Sequence, residues 1–216
     1  MKNIKIRLPM YLLGLFMMTI GIALSVKSNL GVSPVSSIPY TMTCVWGIEM
    51  GKATILFHCG LVLIQIILMR RRFHIRNLLQ ILVGIVFGYF TTFCNSLVSF
   101  FPTPENLGIR IVLVLCSAGL VAFGIFLYVP ADIMPLAGEG TMQAVSTLTG
   151  TAFSKVKILF DSSMVAISLA VCLLMLHSLG SVGIGTIISA VLVGMILGWI
   201  TKGLGRWRDR LLAGEH

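Results

Sequence analysis

Apolar residues fall along this chain in six long blocks, at about 8–26, 53–69, 78–100, 111–129, 158–176 and 182–201. Each is long enough to cross the roughly 30 Å of a bilayer's hydrocarbon as a helix rising about 1.5 Å per residue. Two stretches of another kind, about 30–50 and 130–150, are broken by Gly and Pro, rich in Ser and Thr, and carry acids. In the first, Ser33-Pro34 reads as a helix start: the hydroxyl accepts from exposed N–H groups, and proline fits the first helical position. A helix from Pro34 to Gly47 would be about 21 Å long, too short to cross. The second stretch runs Pro130-Ala-Asp-Ile-Met-Pro135 and Gly138-Glu-Gly-Thr, then a short apolar piece to Gly150. Broken backbone survives at membrane depth only inside protein or against a wet cavity. Both stretches are therefore expected to be re-entrant or half-helix segments.

The order of blocks and breaks occurs twice. Gly21–Ile64 slides without gaps by 103 positions onto Gly124–Ile167, and eleven positions agree, among them Gly21/Gly124, Gly47/Gly150, Lys52/Lys155 and the run Lys-x-x-Ile-Leu-Phe. Gly-Ile-Val-Phe-Gly at 84–88 resembles Gly-Met-Ile-Leu-Gly at 194–198, after about seven extra residues. Duplication at this scale marks many membrane transport folds. The expected architecture is an all-α polytopic membrane protein of two repeated halves, 1–104 and 105–216, within one integral membrane domain. Each half is expected to hold three transmembrane helices and one re-entrant or half-helix segment.

Composition agrees. Hydrophobic residues make up 57% of the 216 positions and charged ones 11%, and mean hydropathy is +1.00. A soluble domain carries roughly 25% charged residues. The net charge of +9 therefore reads by position. With six crossings and both breaks returning to their own side, 13 of the 16 basic residues are cytoplasmic, from Lys2, Lys5 and Arg7 to the Arg70–Arg76 cluster and the Lys202–Arg210 tail. Lys27, Lys52 and Arg110 remain outside. Eight crossings would put the contiguous Arg cluster outside, so the positive-inside rule favours six, with both termini in the cytoplasm. Three crossings per half make the repeat inverted; eight crossings would make it parallel. Leu8 to Val26 holds 19 uncharged residues and no A-x-A site, which reads as a first span rather than a signal peptide. Basic clusters at the edges of apolar runs exclude nucleic acid as a partner.

Asp161 is the sharpest candidate for chemistry. An ionisable group within a span is expensive, and function is its default explanation. Its mate in the other half is His58, and Lys157, four residues earlier, offers an ion pair that would explain it structurally. Asn29 aligns with Asp132 at the entrance to each break. Ser33, Ser36 and Ser37 open the first half-helix; Glu139, Thr141 and Gln143 occupy the same region of the second. These are the candidate solute- or ion-binding residues. Helix N-termini favour anionic groups, whereas acids and free carbonyls favour cations. An amphoteric solute, or an anion moved with a cation, suits both breaks; the competing explanation is that these side chains satisfy loop backbone. Gly84-x-x-x-Gly88 and Gly194-x-x-x-Gly198 read as helix-packing sites, within the chain or between two copies. Lys52 and Lys155 read as interfacial, and the tail with Trp207 as a membrane-surface anchor. The five cysteines, with no C-x-x-C and no His at metal spacing, read as packing residues. No metal-protease, P-loop, G-x-S-x-G or complete dinucleotide motif occurs. No catalytic residue, cofactor or metal is expected.

The opening Gly21–Pro34, Gly-Ile-Ala-Leu-Ser-Val-Lys-Ser-Asn-Leu-Gly-Val-Ser-Pro, together with Gly138–Thr141 and the chain length, resembles the YczE/YyaS/YitT family of bacterial membrane proteins. The resemblance implies a multi-helix protein of the bacterial inner membrane and carries no binding residue with it. The expected function is a small secondary transporter of a small polar or charged solute. The alternative is a non-transporting membrane subunit of a larger complex. The expected partners are the lipid bilayer and the solute, with a second copy or a membrane protein as further candidates.

Overall fold

A computed structural model describes residues 4–213, so Lys2 lies outside the described residues. The described residues form eight α-helices: α1 (Ile4–Ser28), α2 (Pro34–Trp46), α3 (Met50–Met69), α4 (Leu79–Ser99), α5 (Leu107–Tyr128), α6 (Ala137–Thr149), α7 (Phe153–Leu176) and α8 (Ile184–Ala213). Short 3-10 turns follow α3, precede α4 and follow α5. Six stretches are long and apolar enough to cross a membrane: Ile4–Ser28, Met50–Arg72, Ile75–Ser99, Leu107–Ala131, Phe153–Leu176 and Ile184–Leu212. They coincide with the six apolar blocks. Ile67, Leu82, Leu174 and Ile187 are among the many large apolar side chains left exposed on these helices, a surface suited to hydrocarbon rather than water.

α2 and α6 have 13 residues each, about 20 Å of helix, and cannot cross alone. α2 begins at Pro34, the position where a missing N–H costs nothing. Glycines end both, Gly47 with φ +65° and Gly150 with φ +68°, in the left-handed region where a Cβ is penalised. The 103-residue offset recurs in these boundaries, since Pro34–Trp46 and Ala137–Thr149 stand that far apart at both ends. It recurs in the turns before them. Asn29 (φ 51°) donates its N–H to Val26 O at 3.2 Å, and Asp132 (φ 50°) donates to Val129 O at 3.2 Å. Among L-residues Asn and Asp enter this region most readily.

The helices gather into two compact units. One contains α1, the end of α4, α5 and α8; the other contains α2, α3, the body of α4, α6 and α7. Each draws on both sequence halves.

In the first unit α1 and α5 pack along their length and run antiparallel. A Cβ on Gly124 would lie 2.6 Å from Gly14 O, and one on Gly21 would lie 2.9 Å from Ser117 O. Small residues are required because the backbones touch. Tyr11 and Tyr128 meet at a ring separation of 5.7 Å. Arg7 reaches Ala131 O and Arg208 reaches Phe126 O, both at 3.4 Å, so the start of α1 and the ends of α5 and α8 share one end of the unit. At the other end Lys27 donates to Phe101 O, and Gly185 N–H donates to Leu30 O at 2.8 Å. The basic tail, with Trp207 exposed, is helical. It continues α8 as one helix, held by the Arg208 guanidinium 4.6 Å over the Phe126 ring.

In the second unit α2 and α6 each pack against both α3 and α7. α4 closes on α3 through the first glycine pair: a Cβ on Gly84 would lie 2.8 Å from His58 Cβ, and one on Gly88 would lie 2.8 Å from Gly51 O. Thr92 donates to Glu49 nearby. The second pair behaves differently, because nothing lies within 4 Å of a Cβ placed on Gly194 or Gly198. The cysteines are free: Cys94 and Cys172 are buried, Cys44 and Cys59 half-buried, and Cys116 exposed.

Candidate functional site

Within the second unit the two short helices approach one another at their first turns. A Cβ on Gly138 would stand 3.8 Å from Val35 Cγ1 and 4.0 Å from Leu61 Cδ1 and Phe160 Cε1. Val35 and Gly138 are 103 positions apart, as are Phe57 and Phe160, which both pack around the Leu61, Val62 and Ala137 core. The first N–H groups of a helix have no intrahelical acceptor and carry its positive end. Leu136, the residue before α6, supplies no side-chain cap. Two helix starts therefore converge on one buried locus.

Each start is held by a polar side chain from a long helix. Ser168 of α7 donates to Ser37 Oγ at 2.9 Å, and Ser37 donates to Pro34 O at 2.6 Å. At the other start Gln65 of α3 donates from Nε2 to Ala137 O at 3.1 Å. Ser168 and Gln65 are again 103 positions apart. Gln65 Nε2 also lies 2.9 Å from Gln80 Oε1 and 3.3 Å from Thr141 Oγ1, and its own Oε1 has no hydrogen-bond partner. Gly140 leaves room for this, since a Cβ there would come within 2.7 Å of Gln80 Oε1. Gln65 and Gln80 are almost wholly buried and were not singled out by sequence. The signal was present: each is a polar residue within or beside a block otherwise apolar.

Of the sequence candidates, Ser36, Ser37, Thr141 and His58 are buried. Thr141 donates to Ala137 O at 2.8 Å. His58 packs edge-on to Phe57, with ring centres 5.9 Å apart, and its Nδ1 has no partner. Asp161 accepts from Lys157 at 2.7 Å, the i,i+4 pair anticipated above, while its Oδ1 is shut from solvent without a partner. It sits well inside α7, next to Phe160 and so level with the first turn of α6. Glu139, half-buried, lies in that turn. On this helix, too short to span, burial raises the Glu139 carboxyl's pKa and the Lys157 ammonium opposes the shift. Gln143 is exposed further along α6. In the first unit, Asn29 and Asp132 are exposed at their turns, and Ser33 is half-buried before α2.

Long apolar helices and an apolar exterior define a multi-pass α-helical membrane protein. Residues 5–202 match a family of unknown function, DUF6198, and the chain belongs to that family. Its description carries no link to YczE/YyaS/YitT. No curated protein and no solved structure matches the chain.

Proposed function

We propose that this protein is a small secondary transporter of the bacterial inner membrane, moving a small polar or charged solute by alternating access. Six helices cross, α2 and α6 are re-entrant, and both termini are cytoplasmic. The antiparallel packing of α1 on α5 supports this topology. If all eight helices crossed, α1 and α5, four elements apart, would run parallel; with α2 and α6 returning, they run opposite ways. The exchange of mates supports an inverted repeat: Gly14 meets Gly124, and their mates Ser117 and Gly21 meet each other. Inverted repeats of this kind place solutes where discontinuous helices meet, near the midplane.

The observation that carries the function is the convergence of two half-helix starts with buried polar side chains, with Glu139 in the first turn of one of them and Asp161 following Phe160 on α7. Those starts supply anion-binding N–H groups, and the carboxylates supply cation-binding oxygens. Purified protein in proteoliposomes, challenged with concentration jumps of small amino acids and small organic anions on a solid-supported membrane, tests it. Transport currents are expected, and Asp161→Asn or Glu139→Gln should abolish them with helical content unchanged. Silence of the intact protein across the panel, with a membrane partner co-purifying, would replace this reading with that of a subunit in a larger complex.

A further inference from the structure

One buried acceptor in the second unit is left over. Gln65 of α3 is 0% exposed, Gln80 at the start of α4 2%, and Thr141 of α6 4%. The Gln65 amide is turned so that Nε2 lies 2.9 Å from Gln80 Oε1, 3.1 Å from Ala137 O and 3.3 Å from Thr141 Oγ1. Thr141 in turn donates to Ala137 O at 2.8 Å and stands 3.4 Å from Leu61 O. Each of these contacts ends on an oxygen, and uncharged groups make them all. The donors of Gln65 and Thr141 are therefore engaged, while Gln65 Oε1 accepts nothing. That oxygen shares its carbon with Nε2, which fixes it beside the first turn of α6.

A buried amide oxygen without a donor costs about 1–3 kcal/mol. Turning the amide over gives no relief, because it would set Oε1 where Nε2 stands, facing Gln80 Oε1 and Ala137 O, acceptor against acceptor. Nor does the fold need this cost to hold a short helix. Ser168, 103 positions after Gln65, ties α2 by donating to Ser37 Oγ at 2.9 Å, and Ser37 donates onward to Pro34 O at 2.6 Å. That hydroxyl relay strands neither oxygen. Polar side chains inside a crossing helix are expensive and are kept where they act on an ion or solute. Space for a small group exists in the same turn of α6. A Cβ on Gly138 would meet Val35 at 3.8 Å and Leu61 and Phe160 at 4.0 Å, which is ordinary contact.

We propose that Gln65 Oε1 is the recognition point for the N–H donor of a small solute, an amine or a carboxamide, received at the first turn of α6. The site rests on the transporter reading for its purpose, but its binding is read without flux. Gln80, Ala137 and Thr141 act on the solute only through Gln65: they hold Nε2 and so aim Oε1. A buried acceptor of this kind selects by its unmet hydrogen bond. A solute of similar shape that lacks the N–H leaves the oxygen unpaired and is rejected.

The test is the unfolding temperature of the purified protein in detergent, followed by emission of its three tryptophans. Methylammonium chloride and acetamide carry the donor; tetramethylammonium chloride and sodium acetate match them without it, with sodium chloride holding the ionic strength constant. At least one donor compound is expected to raise the unfolding temperature saturably while its match does not. The one that responds tells an amine solute from an amide. Gln65→Met should raise its half-saturating concentration about fivefold or more. If Gln65→Met does not fold, it is combined with Gln80→Leu, which removes the acceptor that the first change strands. An unchanged half-saturating concentration in the variant that folds overturns the proposal. So does an equal response to the matched compound. No response to either donor also overturns it and leaves Oε1 to a buried water. Saturable donor binding beside absent solute currents would keep the site and remove the transporter. Currents carried by solutes without an N–H donor, with no donor binding, would do the reverse.

Discussion

Gly14 and Gly124 stand backbone to backbone: a Cβ on Gly14 would lie 2.7 Å from Gly124 O, and one on Gly124 would lie 2.6 Å from Gly14 O. Neither carbonyl can retreat without moving a helix. We expect Gly14→Val and Gly124→Val to cost about 1–3 kcal/mol or more through overpacking, lowering the unfolding temperature in detergent. Gly194→Ala and Gly198→Ala meet nothing within 4 Å. They should be neutral or stabilise by up to about 1 kcal/mol through helix propensity. Equal losses at all four positions would contradict the close approach of α1 and α5.

Gln65 is the polar tie between α3 and the start of α6. Gln65→Leu removes the donor to Ala137 O and Gln80 Oε1; Ala137 O keeps the Thr141 hydroxyl, and the buried Gln80 Oε1 loses its Gln65 donor. A loss of about 1–3 kcal/mol is expected. Adding Gln80→Leu removes that stranded acceptor, so the double variant should recover part of the loss. A double-mutant cycle on unfolding temperatures reads this directly; strict additivity would mean that the two amides do not interact.

Asp132 and Asn29 hold the same left-handed turn in their two halves. Asp132→Asn should leave stability unchanged, since either residue tolerates that conformation. Asp132→Val should cost about 1–2 kcal/mol, the usual penalty for a Cβ-bearing residue forced there. The same contrast applies to Asn29→Asp and Asn29→Val. Equal melting of Asp132→Val and the parent would show that the turn does not depend on that residue.

The six long helices were legible because hydrophobic length is a nearly complete signal for a crossing. The short helices were legible from their punctuation, with Pro34 opening α2 and Gly47 and Gly150 closing α2 and α6. The Lys157–Asp161 pair followed from i,i+4 spacing alone. Gln65 and Gln80 escaped because their meeting depends on how two helices rotate about their axes and not on any local pattern. The Gly14 contact escaped too, since its mate is Ser117 and no repeated glycine marked it. The helix α8 runs past its apolar block for a different reason. Charges end a hydrophobic block at Lys202, but they do not end a helix whose Arg208 can stack on Phe126.

The most direct test of the six-crossing inverted arrangement is the sidedness of two loops. In a variant lacking the five native cysteines, Arg72→Cys and Thr103→Cys are made singly, both at exposed positions. Whole cells are treated with a membrane-impermeant maleimide before and after permeabilisation. Six crossings predict labelling at position 103 in intact cells and at position 72 only after permeabilisation. Labelling at 72 from outside, with 103 protected, would mean eight crossings and parallel halves, and would contradict the re-entrant placement of α2 and α6.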